Sequence, residues 1–220
     1  MDDANVNRAK ALDVASLSDA MDKLRIAGQC LGIKPRDHAF RMAGRAFTLN
    51  YDPLDPDDPG TVGDFIDDIP AGMVAVIDND GREDMTVWGD IMTMLAHNKG
   101  IAGTVIDGPC RDVHLCLELG YPIFSRSYSM RTGKDRVQIR DLNVPVAIGG
   151  VTVDPGDIVI GGADGVVSIP QQREDEVLAL AEEIERVEEL IRNEIKAGKT
   201  LREAREIHQY HSLQTPGGKS

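Results

Sequence analysis

Two short, continuous apolar runs in the middle of the chain are each followed by a helical pattern. Residues 73–78 (MVAVID) and 103–108 (GTVIDG) are apolar until an acidic residue near the end of each run, which is typical of strands buried on both faces of a sheet. The helical patterns cover 88–99 and 111–119, and a glycine ends each of them. Strands that alternate with helices predict an α/β layered domain. Further strands are predicted at 44–50 and 122–125.

The start of the chain also has a helical pattern. A helix-start signal occupies 17–21, with Ser18 or Asp19 as the N-cap. Residues 51–60 (YDPLDPDDPG) hold three prolines and four aspartates, which predicts a loop.

The last third of the chain changes to short strands and then to a long helix. Apolar residues between 171 and 197 fall on one helical stripe, which predicts a helix of that length. Thr200 and Glu203 have the spacing of a capping box, which predicts a final helix. We therefore divide the chain into an α/β domain, 1–170, and a C-terminal helical extension of the same domain, 171–220. The strands that precede the long helix are predicted at 144–148, 157–160 and 165–169.

Composition narrows the class of protein and of partner. Asp plus Glu (37) outnumber Lys plus Arg (24), so the formal net charge is −13. A surface this acidic repels nucleic acid and anionic lipid. The three cysteines show no Cys-x-x-Cys spacing, which predicts free thiols. The polar N-terminus and the lack of a long apolar run predict a cytoplasmic protein that does not enter a membrane.

Residues 88–92 (WGDIM) form the first candidate site. A Gly–Asp pair follows a turn and opens a helix, and the first amides of a helix are unpaired donors that bind carboxylates. An Asp in the first helical turn also simply complements the helix dipole. The pattern alone leaves both interpretations open.

Residues 107–112 (DGPCRD) form the second candidate site. A buried strand ends here, and Arg111 and Asp112 follow it at the edge where α/β folds bind ligands. The guanidinium of Arg111 offers a planar fork for a keto oxygen and a carboxylate. Asp112 supplies a carboxylate, and Mg²⁺ needs only one or two protein carboxylates among its ligands. An Arg–Asp pair that merely caps a helix is the alternative.

Three stretches together resemble the RraA-like family, which includes the 4-hydroxy-4-methyl-2-oxoglutarate / 4-carboxy-4-hydroxy-2-oxoadipate aldolases. They are VWGDIMTMLAHNKGIAGTVIDGPCRD, GYPIFSRSYSMRTG and PVAIGGVTVDPGDIVIGGADGVVSIP. The resemblance covers 15–205. It implies a compact α-β-β-α layered, swivelling-domain-like fold with a long C-terminal helix, in which 1–170 is the catalytic part. It also implies assembly as a homotrimer or homohexamer.

The same resemblance implies a class II pyruvate aldolase that uses Mg²⁺ or Mn²⁺. Such an enzyme cleaves 4-hydroxy-2-oxo diacids to pyruvate and a second 2-oxo acid, and we expect it to decarboxylate oxaloacetate as a side activity. Asp112 would bind the metal directly, and Asp90 would reach it through water. Arg111 and Asp90 would be the catalytic residues. The substrate-binding residues implied are Gly89, Asp90, Ile91, Met92 and Arg111.

Two assignments stay open at this point. A Glu from the C-terminal helix of a neighbouring subunit would approach the metal through water, and Glu188 is the best match, with Glu185 and Glu189 as alternatives. The distal carboxylate of the substrate also needs a cation, and the basic stretch 126–136 either supplies it or is a solvated loop. The candidates there are Arg126, Arg131, Lys134 and Arg136.

A non-catalytic regulator that binds another protein is the competing function. Family members that regulate ribonuclease E are shorter, lack the long C-terminal helix and do not keep the acid after the Arg. This chain has Asp112 and the predicted helix 171–197, which favour the enzyme. The expected partners are a small 2-oxo acid and further copies of the chain, with neither nucleic acid nor membrane. Zinc binding by His208 and His211 on one face of the last helix is a minor alternative.

Overall fold

The computed structural model describes residues 3–210, so His211 and the residues after it lie outside the described residues. The described chain is a mixed α/β domain, with short 3-10 helices at Asp64–Asp68 and Gln171–Arg173. The α-helices are α1 (Ala4–Lys10), α2 (Val14–Leu24), α3 (Asp90–Lys99), α4 (Val113–Leu119), α5 (Glu174–Lys196) and α6 (Leu201–Ile207). The strands are β1 (Lys34–Pro35), β2 (Met42–Pro53), β3 (Val74–Asp78), β4 (Gly103–Cys110), β5 (Ile123–Tyr128), β6 (Val137–Leu142), β7 (Val146–Ile148), β8 (Val151–Val153), β9 (Ile158–Gly162) and β10 (Gly165–Ile169).

One large sheet organises the domain. Its strand order is β1-β5-β4-β3-β2-β9-β10, and β6 pairs with β2 off that path. Strands β2, β3, β4 and β5 are parallel neighbours, whereas β9 and β10 are antiparallel. A bridge between Gln29 and Val167 links the chain before β1 to β10, so the sheet is nearly closed like a barrel. The parallel strands therefore end together at one edge, where α/β folds place ligands.

Helices cover this sheet in two groups, which confirms the layered α/β fold. Helices α3 and α4 share the main core with β3, β4 and β5. Helices α1, α2 and α5 share a second core with β9 and β10. The apolar stripe of α5 is buried in that second core as far as Ile184, and Val187 and Ile191 pack with Ala204 of α6, so the predicted long helix is an integral part of the packing. Within residues 3–210, no helix combines the length and apolarity needed to cross a membrane.

Most predicted elements are confirmed, with corrections at the helix starts. Helix α3 begins at Asp90 and not at 88, and α5 begins at Glu174 after the 3-10 helix that starts at 171. The N-cap prediction of Ser18 or Asp19 is wrong, because α2 begins at Val14 after Asp13. The apolar stripe that buries this helix starts earlier than the polar pair, so Ser18 and Asp19 lie inside the helix. The strand predicted at 103–108 continues to Cys110, and helix α4 therefore begins only at Val113.

Three short strands were not predicted, namely β1, β6 and β8. Two local predictions are confirmed in detail. Thr200 and Glu203 form both hydrogen bonds of a capping box at the start of α6. All three cysteines are free, and all three are buried.

Candidate active site

The two predicted site segments lie against each other at the carboxyl edge of the parallel strands. Trp88 and Gly89 lead into α3, and Arg111 and Asp112 follow β4. The Arg111 amide donates to the Trp88 carbonyl at 3.0 Å. The Asp90 amide donates to Asp112 Oδ2 at 3.2 Å. These two hydrogen bonds join segments that are more than twenty residues apart in sequence, so the prediction that they form one site is supported by their contact.

Asp112 has an unusual backbone conformation. Its φ of 54° and ψ of 41° are left-handed, and it precedes the first residue of α4 without capping it through its side chain. Few residues other than Gly, Asn and Asp adopt this conformation without cost. Because of this turn, the Asp112 carboxylate lies against the start of α3. It also forms an ion pair with Arg111, with Oδ2 3.2 Å from Nε. Asp112 thus occupies the N-cap position of α4, but its side chain does not make the capping hydrogen bond that the alternative interpretation required.

Gly89 is the point of closest approach between the segments. A Cβ at this position would lie 3.0 Å from Asp112 Oδ2 and 3.1 Å from Arg111 Nε. A side chain here would force both charged groups to shift by a few tenths of an ångström, so the contact favours glycine. The φ of −145° is ordinary extended backbone, which means that space and not conformation restricts this residue.

A cleft of about 240 Å³ opens beside these residues. Asp112 contacts it indirectly, through the Asp90 amide and the Arg111 guanidinium. The cleft wall is mostly apolar, with a single cationic side chain and a single anionic one among its residues, as is usual for a small-molecule site. The lining residues are Val62, Gly63, Thr86, Val87, Trp88, Gly89, Asp90, Ile91, Met92, Arg111 and Thr132.

The start of α3 presents amide donors to this cleft. The Ile91 amide donates to Asp90 Oδ1 at 2.8 Å, and the Thr93 amide donates to the Gly89 carbonyl at 3.0 Å. No described residue accepts a hydrogen bond from the Met92 amide, which leaves it available to a ligand. Unpaired amides at a helix start attract anions because the helix dipole adds partial positive charge there.

The donor set fits a divalent cation of the Mg²⁺ type. Asp112 Oδ1 and Asp90 Oδ2 accept no hydrogen bond from any residue between 3 and 210, whereas Asp112 Oδ2 is already engaged. Mg²⁺ needs only one or two protein carboxylates because water and substrate oxygens complete its coordination. The described residues contain no group of three or more His, Cys, Asp or Glu side chains that could hold a metal by itself. The role of Asp112 as the direct ligand, with Asp90 acting through water, stays a prediction.

The four basic side chains proposed for the distal carboxylate have different surroundings. Arg126 forms an ion pair with buried Asp107, with Nη2 3.1 Å from Oδ2, and this hydrogen bonding raises the pKa of Arg126. Arg131 pairs with Asp84 at 3.3 Å, and Arg136 donates to two backbone carbonyls of its own loop. Lys134 is exposed. None of the four lines the cleft within this chain, although Thr132 of the same stretch does.

Glu188 lies on a different part of the molecule. It accepts a hydrogen bond from Tyr210 at 3.0 Å and lies 3.5 Å from Arg192 on α5, a helix that packs with α1, α2 and α6. Glu189 pairs with Arg192, and Glu185 accepts from the Asp13 amide at 3.3 Å. The assignment of Glu188 to a site in a neighbouring subunit stays a prediction.

Sequence reasoning missed several residues at the cleft. Thr86 and Thr132 form an isolated parallel bridge, which brings the stretch after β5 over the site. Val62 and Gly63 come from the segment before the first 3-10 helix. These residues are ordinary by type, and a single sequence holds no signal of contacts that arise only from tertiary folding.

Known proteins provide the context for this geometry. Over 200 residues the chain is 40% identical to "Protein DlpA" of Legionella pneumophila, covering 89% of this chain and 32% of that protein. The chain thus spans about a third of the length of this relative. It is also 33% identical over 176 residues to "Putative 4-hydroxy-4-methyl-2-oxoglutarate aldolase" of Halalkalibacterium halodurans, covering 80% of this chain and 81% of that protein.

Solved structures share the fold. An uncharacterized protein from Pseudomonas syringae pv. tomato matches with a TM-score of 0.86 and 42% identity, covering 92% of this chain and 96% of that one. RraAS2 of Streptomyces coelicolor, described as an unusual member of the RNase ES inhibitor RraA protein family, matches with a TM-score of 0.80 and 28% identity, covering 87% and 97%.

A family model described as "RraA-like: Aldolase/RraA" matches residues 14–168, a segment that contains both site segments and all the strands of the large sheet except the last residue of β10. The chain belongs to the RraA-like family.

Proposed function

We propose that this protein is a divalent-metal-dependent lyase, a class II pyruvate aldolase that cleaves 4-hydroxy-2-oxo diacids to pyruvate and a second 2-oxo acid. The contact of Arg111 and Asp112 with the first turn of α3 carries this proposal. It brings a guanidinium, a carboxylate and the unpaired Met92 amide together beside one cleft. The aldolase name of the Halalkalibacterium relative supports the same reaction class.

The reaction requires one proton transfer before bond cleavage and one after it. The C4 hydroxyl of the substrate loses its proton, the C3–C4 bond breaks, and its electron pair moves through C2 to the keto oxygen. One product is a 2-oxo acid whose new carbonyl was the C4 hydroxyl. The other is pyruvate enolate, which gains a proton at C3 to become pyruvate. When bound, Mg²⁺ or Mn²⁺ supplies a Lewis acid that stabilises the developing negative charge.

The protein's own groups bind and orient the 2-oxo acid. Apart from its Nε contact with Asp112, the Arg111 guanidinium has no described partner, so its terminal amino groups are free to donate to the keto oxygen. Such donors stabilise charge most effectively when they are already in place. The Met92 amide, and the Ile91 amide once Asp90 rotates away, can bind the substrate carboxylate.

Asp90 is the group proposed to assist removal of the proton from the C4 hydroxyl. Its side chain is exposed at the cleft, with one oxygen on the Ile91 amide and the other open. A water molecule held by Asp90 would accept the proton of the C4 hydroxyl, as in general base catalysis. The same electron flow applied to oxaloacetate releases carbon dioxide, so we expect that side activity.

Asp112→Asn provides the sharpest test, because Asn also tolerates left-handed backbone. Pyruvate release from a panel of 4-hydroxy-2-oxo diacids and oxaloacetate is measured by coupling to lactate dehydrogenase, with and without Mg²⁺ or EDTA. We expect a loss of at least ~100-fold in the variant, with the unfolding midpoint nearly unchanged. Asp135→Asn is the matched control, since Asp135 is exposed and has a φ of 62°. Full activity of Asp112→Asn, or activity that resists EDTA, would refute the metal assignment.

We also propose that a homotrimer or homohexamer completes the site, with Glu188 supplied by a neighbour. Large apolar side chains near the cleft support an assembly: Ile91 is 78% exposed, Tyr128 is 70% exposed and Met130 is 88% exposed. Sedimentation velocity measures the oligomeric state. Glu188→Gln should reduce pyruvate release more than Glu189→Gln does. A fully active monomer would contradict this part of the proposal.

A non-catalytic regulator is the second candidate function. The description of the Streptomyces RraAS2 structure, which refers to inhibition of an RNase, favours it. A regulator would release no pyruvate from any substrate of the panel at any metal concentration, and Asp112→Asn would leave its binding to a partner protein unchanged. Metal-dependent pyruvate release by the unmodified protein would exclude this alternative.

A further inference from the structure

Thr93 is a buried residue of α3 whose hydroxyl is hydrogen-bonded on both sides. It is 1% exposed. Its Oγ1 accepts from the indole Nε1 of Trp88 at 3.0 Å and donates to the Gly89 carbonyl at 2.9 Å. A Thr hydroxyl that bonds to the carbonyl four residues earlier is common in helices. The second bond, from an indole, is specific to this site.

These bonds fix the peptide on which the site depends. The Gly89 carbonyl belongs to the same planar peptide as the Asp90 amide, and that amide donates to Asp112 Oδ2 at 3.2 Å. The Gly89 carbonyl receives both the hydroxyl and the amide of Thr93. Fixing one end of the peptide plane therefore sets the direction of the amide at the other end.

Trp88 connects the same hydroxyl to the second segment of the site. Its backbone carbonyl accepts the Arg111 amide at 3.0 Å, while its ring is 2% exposed and stacks on Tyr121 with centroids 6.3 Å apart. The indole is thus held in the core, and its N–H is directed at Thr93. One hydroxyl then couples the orientation of the α3 start to the position of Arg111.

We propose that Thr93 is a positioning residue for the reaction: its hydroxyl holds the Gly89–Asp90 peptide so that the Asp90 amide stays on Asp112 and the amides after it face the substrate carboxylate. This inference rests on the proposed function for its catalytic consequence. Its geometric content does not depend on any reaction.

The test compares Thr93→Val, which is nearly the same shape but lacks the hydroxyl, with Thr93→Ser, which keeps it. Thr48→Val is the matched control, because Thr48 is also fully buried and donates to a backbone carbonyl, that of Val144, away from the cleft. The first measurement is hydrogen exchange at the Asp90 amide by NMR. The second is binding of oxalate, a planar dianion that resembles pyruvate enolate, in the presence of Mg²⁺. The single tryptophan of the chain, Trp88, gives a fluorescence signal for both the lost bond and the binding.

We expect Thr93→Val to accelerate exchange at Asp90, to shift the Trp88 emission, and to weaken oxalate binding and kcat/KM about tenfold. Thr93→Ser should match the unmodified protein in exchange, emission, oxalate binding and kcat/KM. Thr48→Val should lower the unfolding midpoint but should also match the unmodified protein in these four measurements. Unchanged exchange and emission in Thr93→Val, or equal effects in Thr48→Val, would overturn the inference. If the unmodified protein released no pyruvate, the proposed function would fail, while exchange and emission would still decide the role of Thr93.

Discussion

Removing Arg126 should expose how strongly the carboxyl edge of the sheet depends on one ion pair. The Asp107 carboxylate on β4 is 4% exposed, and its partners are the Arg126 guanidinium and the Gly149 amide, which donates at 2.7 Å. Arg126→Met keeps most of the side-chain volume and removes the charge. The Asp107 charge then retains only the Gly149 amide as a partner.

The structure sets the expected size of this effect. Breaking a buried ion pair by deleting one partner costs about 3–5 kcal/mol, because an uncompensated charge remains. The Arg126 side chain is 29% exposed, so water can reach part of the vacated space. We therefore expect the lower end, about 3 kcal/mol, out of the roughly 5–15 kcal/mol that stabilises a typical domain.

Urea unfolding followed by far-UV circular dichroism measures this loss. Arg131→Met is the matched control, because the Arg131–Asp84 pair is 51% and 60% exposed and should change the free energy of unfolding by less than about 0.5 kcal/mol. Adding Asp107→Asn to Arg126→Met removes the isolated charge and should recover at least about 1 kcal/mol. A loss below about 1 kcal/mol for Arg126→Met, or no recovery in the double variant, would refute the reasoning.

Three further outcomes follow from individual residues. Burial raises the pKa of Cys30, beside Asp107, and of Cys116 to about 12 from an ordinary value of 9.0. Because these thiols ionise at lower pH in the unfolded chain than in the folded one, the free energy of unfolding should fall as pH rises from 9 toward 12. Urea titrations should show a smaller fall for Cys30→Ala. Thr200→Ala removes the capping box of α6 and should cost about 1 kcal/mol in the same assay. Gly89→Ala should reduce pyruvate release about tenfold, because its Cβ would shift the Asp112 carboxylate by a few tenths of an ångström, whereas the melting temperature changes little. Normal activity in this variant would count against the importance of the contact.

The strands and helices that the sequence predicts well are those whose burial is uniform. Strand β4 is buried along its whole length, and the buried face of α5 is apolar from Val177 to Ile191, so pattern and structure agree. Strand β6 has a single buried position, and β1 and β8 have only two and three residues, so none of them gives a long buried run. The N-cap prediction at Ser18 or Asp19 failed for a different reason. Residues that favour N-caps also occur inside helices, and the buried stripe of this helix starts before them.

At the site, the sequence identifies residue types but not their partners. Arg111, Asp112 and the Gly89–Asp90 pair were predicted as one site, and the structure brings them into contact. Local sequence could not show that Arg126 is paired with Asp107, because that contact forms between strands β4 and β5. The bonds of Thr93 were equally invisible, since they depend on the direction of a buried indole.

The left-handed turn at residue 112 imposes two separate requirements on one position. Gly, Asn and Asp all permit the chain to bend there, whereas only Asp adds a negative charge beside Arg111 and the start of α3. In the proposed mechanism, a relative with Asn or Gly at this place would keep the same bend but would lack the carboxylate proposed to hold the cation. The proposed function therefore predicts that this one residue separates relatives that share only the architecture from relatives that release pyruvate.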